Sequence, residues 1–199
     1  GNSVFEDCDS LTSITIPDGV TSIGSYAFSG CSSLTSIIIP DSVTSIGSHA
    51  FEDCDSLEAI TVDSGNSVYH SAGNCIIETA EKKLIVGCKN SEIPDDRSVT
   101  SIGDYAFYDC STISSITIPN TVTSIGDYAF AVCSLLLSIN MPDSVTSIGS
   151  YAFYMCSWLQ YVHFDGTMAQ WNAISKGSKW NYSTPSFEVI CSDGIVSVG

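Results

Sequence analysis

Apolar positions recur along this chain with a period of 23 residues. Pro17 to Ile39 reads PDGVTSIGSYAFSGCSSLTSIII. A second copy, PDSVTSIGSHAFEDCDSLEAITV, starts at Pro40, and clear later copies start at Pro119 and Pro142. The shared order is L-x-x-I-x-I-P-x-x-V-T-S-I-G-x-x-A-F-x-x-C. Pairs such as Ile14/Ile16, Ile37/Ile39, Ile116/Ile118 and Ile139/Met141 have the alternation of a half-buried strand. Proline after the pair ends the strand, because it has no N–H for a ladder. A second apolar pair follows (Val20/Ile23, Val122/Ile125), then a glycine suited to a tight corner. The next Ala-Phe pair predicts a short turn that fills the interior.

The phase holds in several columns. Cys8, Cys31 and Cys54 share it, as do Cys110, Cys133 and Cys156. Phe5, Phe28, Phe51, Phe107, Phe130 and Phe153 do the same. One such unit cannot bury its own apolar side chains, but stacked units bury each residue against its equivalents. The pattern therefore predicts a solenoid with a parallel sheet along one side and coils about 4.8 Å apart.

Two stretches break the phase. Cys54 and Cys110 are 56 positions apart instead of 46. Most of the excess lies in 63–93, where CIIET and LIVGC flank a polar AEKK turn and read as a hairpin in an enlarged coil. From about Asp165 the repeat motif is lost. Thr167 followed by Gln170 predicts a capping box, with Met168, Trp171 and Ile174 on one helix face. The expected organisation is a solenoid of about seven coils over 1–164 and a C-terminal capping segment over 165–199.

The unit PDSVTSIGSYAFYMCSWLQYV resembles the BspA-like leucine-rich repeat, a class of 23-residue units, and the resemblance covers roughly 1–164. GTMAQWNAISKGSKWN is similar to the stretch that often closes such arrays. The resemblance implies an α/β leucine-rich-repeat solenoid, strand-rich with little helix, wound in right-handed coils. It further implies a secreted or cell-surface protein of a host-associated bacterium, in a family where some members adhere to host proteins or other cells. The family shares no catalytic residues, so it implies neither an enzyme nor a cofactor.

Composition narrows the partners. The formal net charge is -16, from 22 acidic and 6 basic residues, which disfavours nucleic acid and anionic lipid. No run of 18 apolar residues predicts a membrane span. The opening GNSVFEDCDSL nearly repeats GSHAFEDCDSL at 47–57, so a fragment of a longer protein is expected, with any signal or anchor outside it.

The candidate chemistry is sparse. The six column cysteines point the same way and predict buried thiols, not disulfides. Cys75 and Cys88 face each other across the hairpin, which leaves a disulfide open there. No C-x-x-C spacing, calcium loop, G-x-S-x-G elbow or phosphate loop occurs, so no metal, cofactor or catalytic residues are expected. Two surface columns remain. Tyr26, His49, Tyr105, Tyr128 and Tyr151 would form an aromatic ladder, which either binds or packs ring on ring over the core edge. The sheet face is mostly Ser and Thr, with Ile38, Leu137, Asn140, Tyr161 and His163 as its least bland members. A protein or glycan ligand on that face is one reading, and a structural spacer or accessory region of a larger protein is the other.

Overall fold

The structure, a computed structural model, describes residues 1–199. Its first strands are β1 (Ser22–Ile23), β2 (Ser36–Ile39), β3 (Ser45–Ile46) and β4 (Ala59–Val62). An irregular centre holds β5 (Tyr69–Ala72), β6 (Cys75–Glu78) and β7 (Lys83–Val86). Regular coils resume with β8 (Ser101–Ile102), β9 (Ser115–Thr117), β10 (Ser124–Ile125), β11 (Ser138–Met141), β12 (Ser147–Ile148) and β13 (Tyr161–Phe164). The chain ends in α1 (Met168–Ala173), β14 (Ser175–Lys176), β15 (Phe187–Cys191) and β16 (Gly194–Val198). It is a strand-rich solenoid whose single helix has six residues.

The sequence period becomes the pairing register. On the long-strand side Ile37 pairs with Ile60, and Ile116, Ile139 and Val162 lie side by side. The two-residue strands after each proline pair the same way, Ser124 with Ser101 and Ser147. The turn between them forms a third ladder with the opposite polarity. Tyr26, Phe28 and Gly30 donate their N–H groups to Ser48, Ala50 and Glu52 of the next coil. To aim those donors the backbone turns left-handed at single residues, including Tyr26, His49, Tyr105, Tyr128 and Tyr151.

The corner glycines serve a purpose different from the one expected. Gly24 and Gly149 do not adopt a positive φ. A Cβ on Gly149 would instead lie 2.4 Å from the carbonyl carbon of Gly126 in the coil below. Glycine is needed there because stacked backbones touch, not because the chain must bend.

The predicted hairpin is present as β6 and β7, joined by a polar turn, and β5 adds a third antiparallel strand. It does not carry the stack through evenly. Both ladders are interrupted: the two-residue ladder stops at β3 and restarts at β7, which pairs with β8, and the long-strand sheet breaks between β4 and β9. The phenylalanine ladder breaks too. Phe5, Phe28 and Phe51 stack at 5.3 and 5.4 Å, and Phe107, Phe130 and Phe153 at 5.1 and 5.5 Å. Between the two runs the position belongs to Gly87, whose N–H donates to Ala106, and the ring of Phe107 occupies the space its side chain would take.

Past Asp165 the backbone winds once more, although the motif is gone. Strand β14 pairs with β12, β15 pairs with β13, and Trp180 packs edge-on against Phe153. Antiparallel β16 follows on the outer side of β15. The capping box is formed: Thr167 accepts from the Gln170 N–H, and the Gln170 side chain accepts from the Thr167 N–H. Trp171 and Ile174 are buried, and Lys176 donates to the Trp171 and Ile174 carbonyls at the helix end.

Candidate recognition surface

The alternation of each long strand sends every second side chain outward. Ile38 is 57% exposed on β2, Leu137 39% exposed just before β11, and Tyr161 37% exposed on β13. Asn140 and His163 are exposed partners in the β11–β13 register, and Tyr161 pairs with Ser138. Asn140, Tyr161 and His163 therefore share one face, while Leu137, exposed one position before β11, has the parity of the buried Ile139 and lies outside that alternation. Ile38 does not share that face, because it lies on the far side of the sheet break.

Two more large residues, not anticipated from the sequence, are exposed in the turns that precede β11 and β13. Trp158 is 59% and Leu135 49% exposed, each two positions after a column cysteine on successive coils. Elsewhere that column reads Ser10, Ser33, Ser56 and Thr112, so the departure was visible in the alignment of the units. Beyond the long strands, many hydroxyls are occupied by the fold itself. Ser42, Thr121 and Ser144 hydroxyls donate to the carbonyls of Val20, Val99 and Val122 one coil away. Asn140 donates to the Thr117 hydroxyl at 3.0 Å.

The aromatic ladder is continuous. Tyr26 stacks on His49 at 4.7 Å, Tyr105 on Tyr128 at 5.1 Å, and Tyr128 on Tyr151 at 4.9 Å. His49 also meets Tyr105 at 4.1 Å, so the column closes across the irregular coil. The ring faces are taken up by neighbouring rings, which leaves edges for solvent.

Beneath His49 lies a cavity of about 300 Å³, lined in part by Glu52, Tyr69, Glu78, Lys83 and Tyr108. His49 Nδ1 is 3.0 Å from Glu52 Oε2, at an angle that leaves the nitrogen without a good hydrogen bond. Burial lowers the His49 pKa and so favours the neutral ring. Burial, then the charges of Asp109, Asp53 and Glu6, push Glu52 up to about 7. Asp109 is pushed up to about 6, chiefly by burial and then by Asp53 and Asp55.

All nine cysteines are free, including Cys75 and Cys88. In the column, Cys31, Cys54, Cys133 and Cys156 each donate at 3.1 Å to a phenylalanine carbonyl of the preceding coil. Burial pushes the Cys54, Cys75 and Cys156 thiols up to about 12, which makes poor nucleophiles of them. No group of three or more His, Cys, Asp or Glu side chains is arranged to hold a metal ion. No helix is long and apolar enough to cross a membrane.

A stacked coil with a parallel strand ladder and in-register cysteine, phenylalanine and glycine columns defines a leucine-rich-repeat solenoid. The chain belongs to the BspA type leucine rich repeat family, whose model matches in 6 copies over residues 1–76 and 78–181. No curated protein matches it. Among solved structures it is similar to the pneumococcal vaccine antigen PcpA, with 18% identity, 97% of this chain and 54% of that chain covered, and a TM-score of 0.70. A leucine-rich repeat protein from Eubacterium ventriosum is 31% identical over 75% of this chain and 41% of its own, with a TM-score of 0.65. Another from Bacteroides ovatus is 26% identical over 97% of this chain and 52% of its own, with a TM-score of 0.53. The chain thus spans about half the length of these proteins.

Proposed function

We propose that this chain is a non-enzymatic recognition module of a bacterial surface or secreted protein, binding a protein or glycan through its long-strand face. One observation carries the reading. Trp158, Leu135, Leu137 and Tyr161 are large and exposed, and all four lie on or just before the long strands of two successive coils, those of Cys133 and Cys156. Exposed aromatic and apolar groups on a rigid ladder resemble the anchors that dominate binding interfaces. The family and the solved leucine-rich repeat proteins from Eubacterium ventriosum and Bacteroides ovatus support the bacterial setting.

The test is a glycan array and an array of surface and matrix proteins, probed with this protein and with Trp158→Ala and Tyr161→Ala. A ligand held through this surface is lost at least tenfold in both variants, since a buried anchor contributes about 2 kcal/mol or more. Retention at wild-type level in well-folded variants overturns the reading. A second reading, a spacer, is favoured by the N-terminal coils, where Thr35 and Thr44 hydroxyls donate to Thr12 and Thr21 one coil away. It predicts no saturable ligand for any part of the chain.

A further inference from the structure

The break in the long-strand sheet leaves an unfinished edge, and its cause is local. Pro40, Pro119 and Pro142 each follow their column phenylalanine by 12 positions, but Pro94 follows Gly87, which holds that place in its coil, by only 7. The connecting strap, KNSEI, is too short to lay a strand beside β9. It is tied elsewhere: Glu92 N–H donates to the Gly73 carbonyl, and the Ser91 hydroxyl to the Asn74 carbonyl.

Strand β9 consequently pairs on one side only, with β11. Ile118 N–H donates to the Asn140 carbonyl, so by the alternation of a parallel ladder the even-numbered residues of this stretch face β11. Ser115 and Thr117 direct their N–H and C=O groups the other way. In the coil above, the equivalent residues Ser138 and Asn140 face β9. Below β9 no backbone group of the strap takes that place. What lies there is a groove of about 790 Å³, running from Ser115 to Asn120 along one wall and from Ser91 to Asp95 along the other. Its charged lining residues are Glu92, Asp95 and Asp165, with no basic residue among them.

We infer that this groove is a docking site for an extended basic peptide segment of a partner protein, which adds a strand to the β9 edge. The main chain of the segment completes the ladder at Ser115 and Thr117, and its Lys or Arg side chains meet Glu92, Asp95 and Asp165. Main-chain pairing supplies affinity in such strand addition, and side chains at alternate positions supply selectivity. The acidic walls and the net charge of -16 steer a basic segment in and discourage a second copy of this chain. The groove is lined by none of Trp158, Leu135, Leu137 and Tyr161, so either reading can fail without the other.

The probe is the fluorescently labelled peptide acetyl-Lys-Thr-Lys-Val-Lys-Thr-Lys-amide, titrated into the whole chain and followed by anisotropy. Three further peptides accompany it: a Glu-for-Lys version, and two N-methylated at alternate amides in opposite registers. The expected result is saturable binding, at least tenfold weaker for the Glu version and for one N-methylated register but not both. Hydrogen exchange slows at the Ser115 and Thr117 amides when the peptide is bound. Ser115→Pro, tolerated at an edge that makes no bond there, lowers affinity at least tenfold. If both N-methylated peptides bind like the parent, the contact is charge alone and the inference is overturned. No saturation at millimolar peptide overturns it, and so does a chain dimer that Ser115→Pro dissociates.

Discussion

At the residue scale, the left-handed positions separate what the fold requires from what it tolerates. The residue before each column cysteine is left-handed at Asp7, Gly30, Asp53, Asp109, Val132 and Met155. Gly and Asp suit that region, but a β-branched residue is strained there. Val132 has φ 63° and is held because its N–H donates to the Tyr154 carbonyl. Val132→Asn is expected to stabilise the chain by about 1 kcal/mol, measured by urea denaturation. A loss of stability instead would show that the Val132 side chain packs better than its backbone is strained.

Glu52 gives a second test at the same scale. Its folded pKa of about 7 lies above its ordinary value of 4.5. The folded state therefore holds the proton more tightly than the unfolded chain does. This contribution is fully present below about 4.5 and is lost as pH rises through about 7. Asp109, at about 6 against an ordinary 3.8, acts in the same direction. His49, whose pKa is lowered, opposes both at the acidic end, because its protonation favours the unfolded chain. Thermal melts should show Tm falling between pH 5.5 and 8 by about 2–4 °C. Glu52→Gln, which keeps the neutral shape, should flatten that fall, and an unchanged slope would show that Glu52 is not the titrating group.

At the scale of the element, legibility in the sequence followed periodicity. The strands from β2 onward, the hairpin turn and the Thr167 capping box were readable because each is set by a few neighbouring residues, whereas the strand expected at Ile14 and Ile16 in the first coil is not formed. The purpose of the glycine column was not, since Gly149 is defined by the backbone of Gly126, which a single unit does not contain. Gly149→Ala should cost about 3 kcal/mol or more, because its Cβ meets backbone that cannot yield. The cap is a milder case. Thr167→Ala removes the hydroxyl that Gln170 N–H donates to and should cost about 1 kcal/mol. Calorimetry of the two variants ranks them, and an Ala at 149 as mild as the cap loss would show that the coils separate easily. The exposed Trp158 was legible as a departure within its column. The continuation of the coil past Asp165 was not, because Trp180 fills space near Phe153 without keeping the motif.

At the scale of the molecule, the irregular coil divides the core. One buried cluster runs from Cys75 to Cys191 and a smaller one from Ile23 to Cys88. The division passes through β6: Ile76 belongs to the smaller cluster, while Cys75 and Ile77 belong to the larger. Across the break the phenylalanine stack is missing, and the hairpin coil stands between the two halves. The halves also touch directly, through the His49–Tyr105 ring contact and the Ser111–Asp55 hydrogen bond at 2.6 Å, and Lys89 of the irregular coil pairs with Glu58 at 2.9 Å. In a solenoid, stability is nearly a sum over units and nearest-neighbour interfaces, so a weak interface is where cooperativity fails. Residues 1–62 should thus open in denaturant before 101–191, as two steps of hydrogen exchange resolved along the chain. Ile76→Ala, which empties space at the smaller cluster, should bring the first step forward by about 2–4 kcal/mol and leave the second in place. Ile77→Ala should do the reverse. If both variants shift one common transition, the interface couples the halves fully, and the hairpin acts as mortar between them instead of a fault.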